Sequence, residues 1–180
     1  MFIFPPTIIL RHRRENLKKC SLRGLEARSD CLFFTYPKDE LPVLSHYFLL
    51  TLDAPHLSET DGEMGIFLID GTWRYAELME RQLQKPHLFK RRSLPTGFQT
   101  AYPRRQDDCP EPSRGLASVE ALFLCYAILG RSTEGLLDHF HWKDEFLKKN
   151  ARHLEEHALI SSKNFTHTEV SSRIRNCTKR

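Results

Sequence analysis

Residues 66–84 read IFLIDGTWRYAELMERQLQ, and they carry the clearest structural signal in the chain. The first five are almost continuously apolar, which is typical of a strand that is covered on both faces of a parallel sheet. After Gly71, the side chains Trp73, Ala76 and Met79 recur at helical spacing, and Thr72 stands where an N-cap is expected. A buried strand that runs straight into a helix predicts an α/β protein with a parallel sheet flanked by helices.

The rest of the chain continues this alternation of strands and helices. Residues 117–129 are apolar almost all round, which predicts a helix buried on most sides, with Ser118 as its N-cap. Residues 132–157 are typical of two successive amphipathic helices. Further short strands are expected at 7–10, at 31–36, at 46–52 and within 93–103.

Cysteine usage and hydropathy limit the class of protein. The five cysteines are odd in number and form no C-x-x-C pair, which argues against a disulfide framework or a structural zinc site and predicts a reducing, cytoplasmic setting. The apolar segment 1–10 contains two prolines and no basic leader, so we interpret it as a strand and not as a signal peptide. No apolar run approaches the roughly 20 residues of a membrane span, so no membrane partner is expected.

Charge is distributed unevenly, although the chain as a whole carries only +4. Residues 11–28 hold seven bases and two acids, residues 81–105 hold seven bases and no acid, and residues 163–180 hold five bases and one acid. Such segregation creates local positive fields and favours a polyanionic partner. The alternative is that these runs form solvated basic faces without a ligand.

The junction from strand to helix at Asp70 is the strongest candidate for a functional site in the sequence. Ligands of open α/β sheets gather at the carboxyl ends of the strands, where Asp70 and Gly71 would lie. The alternative is that Asp70 and Thr72 only cap the helix while Trp73 packs in the core. The sequence contains no G-x-S-x-G, Walker A, H-E-x-x-H or G-x-G-x-x-G motif.

Two other segments offer polar groups near expected helix starts or loops. Ser118 places a hydroxyl beside the amides of a helix N-terminus, where polar ligand atoms bind well. Lys19 and Ser21 lie in a K-K-C-S segment that could face an anion. His153 and His157 are four residues apart on a charged helix, which is more typical of exposed histidines than of a metal pair.

The order of the motifs resembles that of a known family. The motifs are H-x-x-E-N-x-K-K-C-S-L at 12–22, L-S-x-x-D at 57–61, L-I-D-G-T-W-R-Y-A at 68–76, S-L-P at 93–95, L-A-S-V-E-A-L at 116–122 and F-H-W-K-D-E-F-L-K-K-N at 140–150. This series, over roughly residues 11–150, resembles the ribosome-biogenesis family that transfers an aminocarboxypropyl group to small-subunit ribosomal RNA. Lys143 departs from the glycine usual there.

The resemblance implies a fold like that of the SPOUT methyltransferases, with a C-terminal trefoil knot that holds S-adenosylmethionine. It implies an N-terminal α/β part at 1–60 with the basic segment, an S-adenosylmethionine-binding part at 61–160 and a basic tail at 161–180. The cofactor-binding residues that it implies are Ser21 at the amino-acid moiety, Ile69 at the ribose, Trp73 and Ala76 at the methyl group, Leu94 and Ser118 at the adenine, and also Thr72.

The resemblance also implies the reaction. N3 of a uridine or pseudouridine attacks the γ-carbon of the methionyl chain, and 5′-methylthioadenosine leaves. Asp70 is the candidate catalytic base or orienting acceptor, and its alternative role is to hold the loop or the ammonium group of the donor. No metal is required, and the enzyme is expected to be a cytoplasmic monomer. The RNA-binding residues that we predict are Lys18, Lys19, Arg91, Arg92, Arg104 and Arg105.

Three alternatives stay open at this point. The related DTW-domain proteins, which modify a tRNA uridine, have a similar motif at 70–73, and A-Y-P-R-R-Q at 101–106 leans toward them, whereas the K-K-C-S and F-H-W segments favour the rRNA branch. A non-catalytic RNA-binding assembly factor and a plain SPOUT-type RNA methyltransferase are the others.

Overall fold

The computed structural model describes residues 4–83, 90–103 and 115–156. Within them, strands and helices alternate much as the sequence predicts. Two short 3₁₀ turns, Leu25–Ala27 and Glu59–Asp61, lie in the connections. The elements in chain order are β1 (Thr7–His12), β2 (Cys31–Tyr36), β3 (Tyr47–Leu50), β4 (Gly65–Asp70), α1 (Trp73–Gln82), β5 (Lys90–Arg92), α2 (Ser118–Ile128) and α3 (Lys143–Glu156).

These strands form one sheet in the order β2-β1-β4-β3-β5, and every pairing is parallel. The prediction of a parallel α/β sheet is therefore confirmed. Because all strands run the same way, their carboxyl ends share one edge, where Arg11 of β1 stands opposite Asp70 of β4. Loops and helix starts gather at this edge.

The sheet is covered on both faces, as the near-continuous apolar strands require. In β1, Ile9 packs into a large core with α2 and α3, whereas Ile8 and Leu10 pack into a second core with Met79 of α1. Strand β4 alternates in the same way. Helix α2 buries side chains all round, which confirms the prediction from its apolar sequence.

The prediction of a strand within 93–103 is wrong. The pairing that extends the sheet lies just before it, in β5, and Ser93 alone continues it through a bridge with His56. Beyond Ser93, Pro95 has no N–H to give to a ladder, and Gly97 has a φ of +102°, which no strand accommodates.

The prediction of two helices within 132–157 is also wrong. Residues 134–139 form turns, and Gly135 has a φ of +76°. Downstream, α3 continues across residues 150 and 151, where the first predicted helix was expected to end and the second to begin. It is continuous because Phe146, Asn150 and Leu154 form one buried stripe. The apolar residues before α3 are spaced like a helical stripe although they lie in turns. The rest of that region, from residue 157, lies outside the described residues along with the basic tail.

No helix in residues 4–83, 90–103 and 115–156 is long and apolar enough to cross a membrane.

Leu122 of α2 is 0% exposed and tests the larger core. We expect Leu122→Ala to lower the free energy of unfolding by about 2–5 kcal/mol, because it removes buried methyl groups and leaves a cavity. Urea unfolding followed by circular dichroism measures this loss. Val43→Ala is the control, since Val43 is 84% exposed and its truncation should cost about 0.5 kcal/mol or less. Equal losses in the two variants would contradict this packing.

Candidate functional site

A cavity of about 550 Å³ opens at the carboxyl edge of the sheet. It lies where β3 and β4 end and where α1 and α2 begin, so parallel strands and helix N-termini both face it. Its walls are apolar with a few polar groups, which is typical of small-molecule sites. The lining residues are Leu50–Asp53, Leu68, Ile69, Gly71, Trp73, Ala76, Glu77, Glu80, Leu94–Phe98, Tyr102, Leu116–Ser118 and Ala121.

Five of the cofactor-binding residues predicted from the sequence line this one cavity: Ile69, Trp73, Ala76, Leu94 and Ser118. They come from β4, α1, the segment after β5 and the start of α2. Trp73 and Ala76 share a face of α1 because they are one helical turn apart. The fold thus brings together side chains that lie far apart in sequence.

Asp70 does not line the cavity, and it is only 4% exposed. Its Oδ2 accepts hydrogen bonds from Nε of Arg11 at 2.9 Å and from Sγ of Cys20 at 3.3 Å. Its Oδ1 accepts a hydrogen bond from Oγ of Ser118 at 2.8 Å. The carboxylate therefore joins β1, the K-K-C-S segment and α2.

Cys20 completes this network as a hydrogen-bond donor. Burial, followed by the neighbouring charge of Asp70, raises the pKa of Cys20 to about 12. The sulfur therefore keeps its proton at neutral pH and can donate it to the carboxylate. The Arg11 guanidinium also donates to Oε1 of Glu26 at 2.8 Å, so one buried cation is shared by two carboxylates.

Ser21 and Thr72 do not line the cavity either. Oγ of Ser21 accepts a hydrogen bond from the backbone N–H of Val119 at 3.3 Å, which ties it to the first turn of α2. Thr72 is the N-cap residue of α1, but its side chain makes no capping hydrogen bond. The expected contact of Ser21 with the amino-acid moiety of a ligand thus has no counterpart in the cavity lining.

The start of α2 differs from the sequence prediction. Ala117, and not Ser118, is the N-cap, so Ser118 is helical and its hydroxyl is available to Asp70. Glu120 stands three residues after the cap, and its Oε2 accepts a hydrogen bond from the N–H of Ala117 at 2.7 Å.

Glu120 is a site-shaping residue that sequence reasoning missed. It is 0% exposed, and its carboxylate also accepts hydrogen bonds from Oγ1 of Thr100 at 2.6 Å and the N–H of Ala101 at 2.8 Å. Burial raises its pKa, although these donors favour the charged form. Glu120 thus holds the segment before Tyr102 against α2. The A-S-V-E pattern at 117–120 was the available signal, but only with Ala117 taken as the cap.

Tyr102 connects the cavity wall to the K-K-C-S segment. It lines the cavity, and its hydroxyl donates a hydrogen bond to the backbone carbonyl of Lys19 at 2.7 Å. Its ring meets Trp142 edge-on, with ring centroids 4.8 Å apart. The segment 18–21 is therefore attached to both sides of the site, through Tyr102 and through Ser21.

Three carboxylates, those of Asp53, Glu77 and Glu80, lie in the cavity lining. Glu80 is paired with Arg91, and Glu77 is paired with Arg81 one turn along α1, so their charges are compensated within the protein. Asp53 is exposed and has no ion pair among the described residues. Asp53 is therefore the lining carboxylate that favours a ligand with positive charge.

The residues predicted to bind RNA have different environments. Lys18 and Lys19 are exposed. Arg91 is paired with Glu80, and Arg92 donates Nε and Nη2 to the two oxygens of Asp61 at 2.8 and 2.9 Å. The charges of these two arginines are already compensated within the protein, which reduces their attraction for phosphate. Arg104 and Arg105 lie outside the described residues.

In the described part of the chain, no group of three or more His, Cys, Asp and Glu side chains is arranged to hold a metal ion.

Asp70→Asn tests the buried network. The amide keeps the shape of the carboxylate but leaves the buried Arg11 with only Glu26, which is half exposed, as a charge partner among the described residues, so we expect a loss of about 3 kcal/mol in the free energy of unfolding. Asp138→Asn is the matched control, because Asp138 pairs with Lys143 at the surface and should cost less than about 1 kcal/mol. Chemical denaturation measures both, and similar small losses would contradict the proposed importance of Asp70.

Comparison with known proteins gives one informative match. No family model matches the sequence, and no curated protein sequence does. Among solved structures, the chain is similar to the SAM-dependent rRNA:acp-transferase Tsr3 from Vulcanisaeta distributa, at 23% sequence identity and a TM-score of 0.66. The similarity covers 86% of this chain and 83% of that one. This protein therefore has the α/β fold of that transferase.

Proposed function

We propose that the protein transfers the 3-amino-3-carboxypropyl group of S-adenosylmethionine to N3 of a uridine or pseudouridine in small-subunit ribosomal RNA. The observation that carries this proposal is the cavity that collects Ile69, Trp73, Ala76, Leu94 and Ser118. These are residues that the sequence motifs associate with S-adenosylmethionine. The fold around them is that of a SAM-dependent rRNA:acp-transferase.

The cavity suits this donor in size and charge. Its volume of about 550 Å³ falls in the range of roughly 300–1,000 Å³ typical of small-molecule sites. S-adenosylmethionine carries a sulfonium and an ammonium group, and the carboxylate of Asp53 in the lining stabilises positive charge nearby. The apolar side chains of Ile69 and Leu94 supply surfaces for the nucleoside.

The chemistry depends on choosing one of the carbons bonded to sulfur. The sulfonium activates the methyl carbon as well as the γ-carbon, so the site selects by placement. In our proposal Trp73 and Ala76, on one face of α1, pack around the methyl group and shield it from the RNA. The N3–H proton passes to water, N3 forms its bond to the γ-carbon, the bond from sulfur to that carbon breaks with its electron pair going to sulfur, and neutral 5′-methylthioadenosine leaves.

We assign Asp70 to positioning and not to proton abstraction. Its carboxylate already accepts hydrogen bonds from Arg11, Cys20 and Ser118, and it lies behind the cavity lining. It holds the first turn of α2 at the cavity. This corresponds to the structural alternative that the sequence left open for Asp70.

Several finer features belong to the same proposal. We propose a trefoil knot in the C-terminal part because the motif order resembles that of knotted transferases. We also propose that the enzyme acts as a monomer on rRNA in the cytoplasm. Lys18 and Lys19 are the RNA contacts that the described geometry favours, because both are exposed.

The product of the reaction tests the proposal. Purified protein incubated with S-adenosylmethionine and small-subunit rRNA from a strain that lacks its gene should release 5′-methylthioadenosine, and the rRNA should gain an aminocarboxypropylated nucleoside. Liquid chromatography with mass spectrometry detects both. Release of S-adenosylhomocysteine would identify a methyltransferase, and modification of tRNA in place of rRNA would identify the tRNA branch. If calorimetry shows no binding of S-adenosylmethionine, the remaining interpretation would be a non-catalytic RNA-binding factor.

Trp73→Ala tests the choice between carbons. Loss of the indole should unshield the methyl group and misplace the γ-carbon, so we expect turnover to fall about 100-fold and the proportion of S-adenosylhomocysteine to rise. Leu78→Ala is the control, because Leu78 lies on the same helix and is exposed outside the cavity lining. An unchanged product ratio at an unchanged rate would remove Trp73 from the mechanism.

A further inference from the structure

Three aromatic rings form a stack at the carboxyl edge of the sheet, outside the cavity lining. His12 ends β1, Tyr36 ends β2, and Tyr75 lies in the first turn of α1. The His12 and Tyr75 rings are nearly parallel, with centroids 4.0 Å apart and an interplanar angle of 10°. The Tyr36 ring lies 5.9 Å from the His12 ring at 29°. Both tyrosines are partly exposed, and both also pack against the second core.

The stack adjoins the cavity. Gly71 lines the cavity, and a Cβ placed there would lie 3.4 Å from Cβ of His12 and 3.5 Å from Cβ of Tyr75. The turn at Gly71 therefore separates the stack from the cavity by the thickness of one backbone segment. A polymer that reached across this turn could contact both.

Basic side chains flank the stack. Nη1 of Arg14 donates a hydrogen bond to the hydroxyl of Tyr75 at 3.3 Å, and the backbone N–H of Arg14 donates to Nδ1 of His12 at 3.2 Å. Arg13 and Arg74, next to His12 and Tyr75 in sequence, are exposed. Residues 12–19 carry four basic side chains and one acidic one, and Arg11 is not counted because it is buried and paired with Asp70 and Glu26. The surroundings of the stack are thus positively charged, in contrast to the Asp53 carboxylate of the cavity wall.

The imidazole that contacts both tyrosines has a lowered pKa. Burial lowers the pKa of His12, and the charges of Arg14 and Arg13 lower it further. The neutral form is thereby favoured, which avoids placing another cation beside the arginines.

We propose that this stack and its arginines bind a single-stranded stretch of the substrate RNA next to the target nucleotide. A base stacks on the partly exposed ring of Tyr75, and Arg13 and Arg14 contact the adjoining phosphates. Aromatic faces beside arginines are the usual means of holding unpaired bases, and the positive charge selects a polyanion. The inference rests on the proposed function for the identity of the polymer, and it adds the surface that holds it.

Two RNA probes of equal charge separate stacking from phosphate attraction. One is a fluorescein-labelled 12-nucleotide oligouridylate, and the other is an abasic strand of the same length. Fluorescence anisotropy with the full chain should show tighter binding of the oligouridylate. Tyr75→Ala should weaken oligouridylate binding about tenfold and leave abasic binding nearly unchanged.

Matched variants keep this result interpretable. Tyr75→Phe keeps the ring and should bind like the wild type, whereas Tyr75→Leu keeps apolar cover without a ring and should behave like Tyr75→Ala. Leu78→Ala, one turn along α1, should change neither affinity. Calorimetric binding of S-adenosylmethionine checks that each variant still forms the neighbouring cavity.

The arginines are tested by salt. Arg14→Ala should reduce the slope of log affinity against log salt by about 0.7 for each phosphate that the arginine neutralises, with both probes alike, and Tyr75→Ala should not change it. Equal affinity of the wild type for both probes, or equal weakening of both by Tyr75→Ala, would overturn the stacking role. An unchanged salt slope in Arg14→Ala would overturn the role of Arg14 in phosphate binding.

The two proposals can fail separately. Absence of 5′-methylthioadenosine would remove the proposed function and leave these binding results standing. If the wild-type protein transfers the group normally but binds the oligouridylate and the abasic strand equally well, only the proposed RNA-binding role of the stack would be rejected.

Discussion

The buried carboxylate of Asp70 is the point on which the site depends. A charged group at 4% exposure is costly unless it is paired and fully hydrogen-bonded. Arg11 meets this requirement because the parallel register of β1 and β4 sets it opposite Asp70. Cys20 and Ser118 satisfy the remaining acceptor positions. One electrostatic requirement thus fixes the relative positions of two strands, one loop and the start of α2.

The cavity and the aromatic stack lie on the two sides of the junction at Gly71. The cavity wall carries the carboxylate of Asp53, whereas Arg13 and Arg14 flank the stack. If the donor is cationic and the acceptor is a polyanion, this division directs each to its own side and lets them meet at the end of β4. The modest total charge of +4 conceals this separation, because fields act locally and not as a sum.

The local pattern of apolar residues was enough to predict the elements in which these residues recur with one dominant period. The apolar run predicted β4, and the spacing of Trp73 and Ala76 predicted α1. The apolar residues on all sides of the helix predicted α2. Prediction failed where the backbone was decided by distant partners. Strand β5 has the sequence Lys-Arg-Arg, with little intrinsic strand preference, and it forms because β3 offers an open edge.

The chain's linear order of residues is sufficient for the parallel α/β class, because hydrophobic period is a local property, whereas the predicted side chains that line the cavity were implied by the resemblance of the motif order to a known family. Tertiary structure decided the roles of Asp70, Ser21 and Glu120, because each role is set by donors supplied from elsewhere in the fold. The same holds for the stack of His12, Tyr36 and Tyr75, whose rings meet only when β1, β2 and α1 end or begin at one edge. A side chain's neighbours along the chain reveal its conformation, but the neighbours that determine its chemistry come from folding.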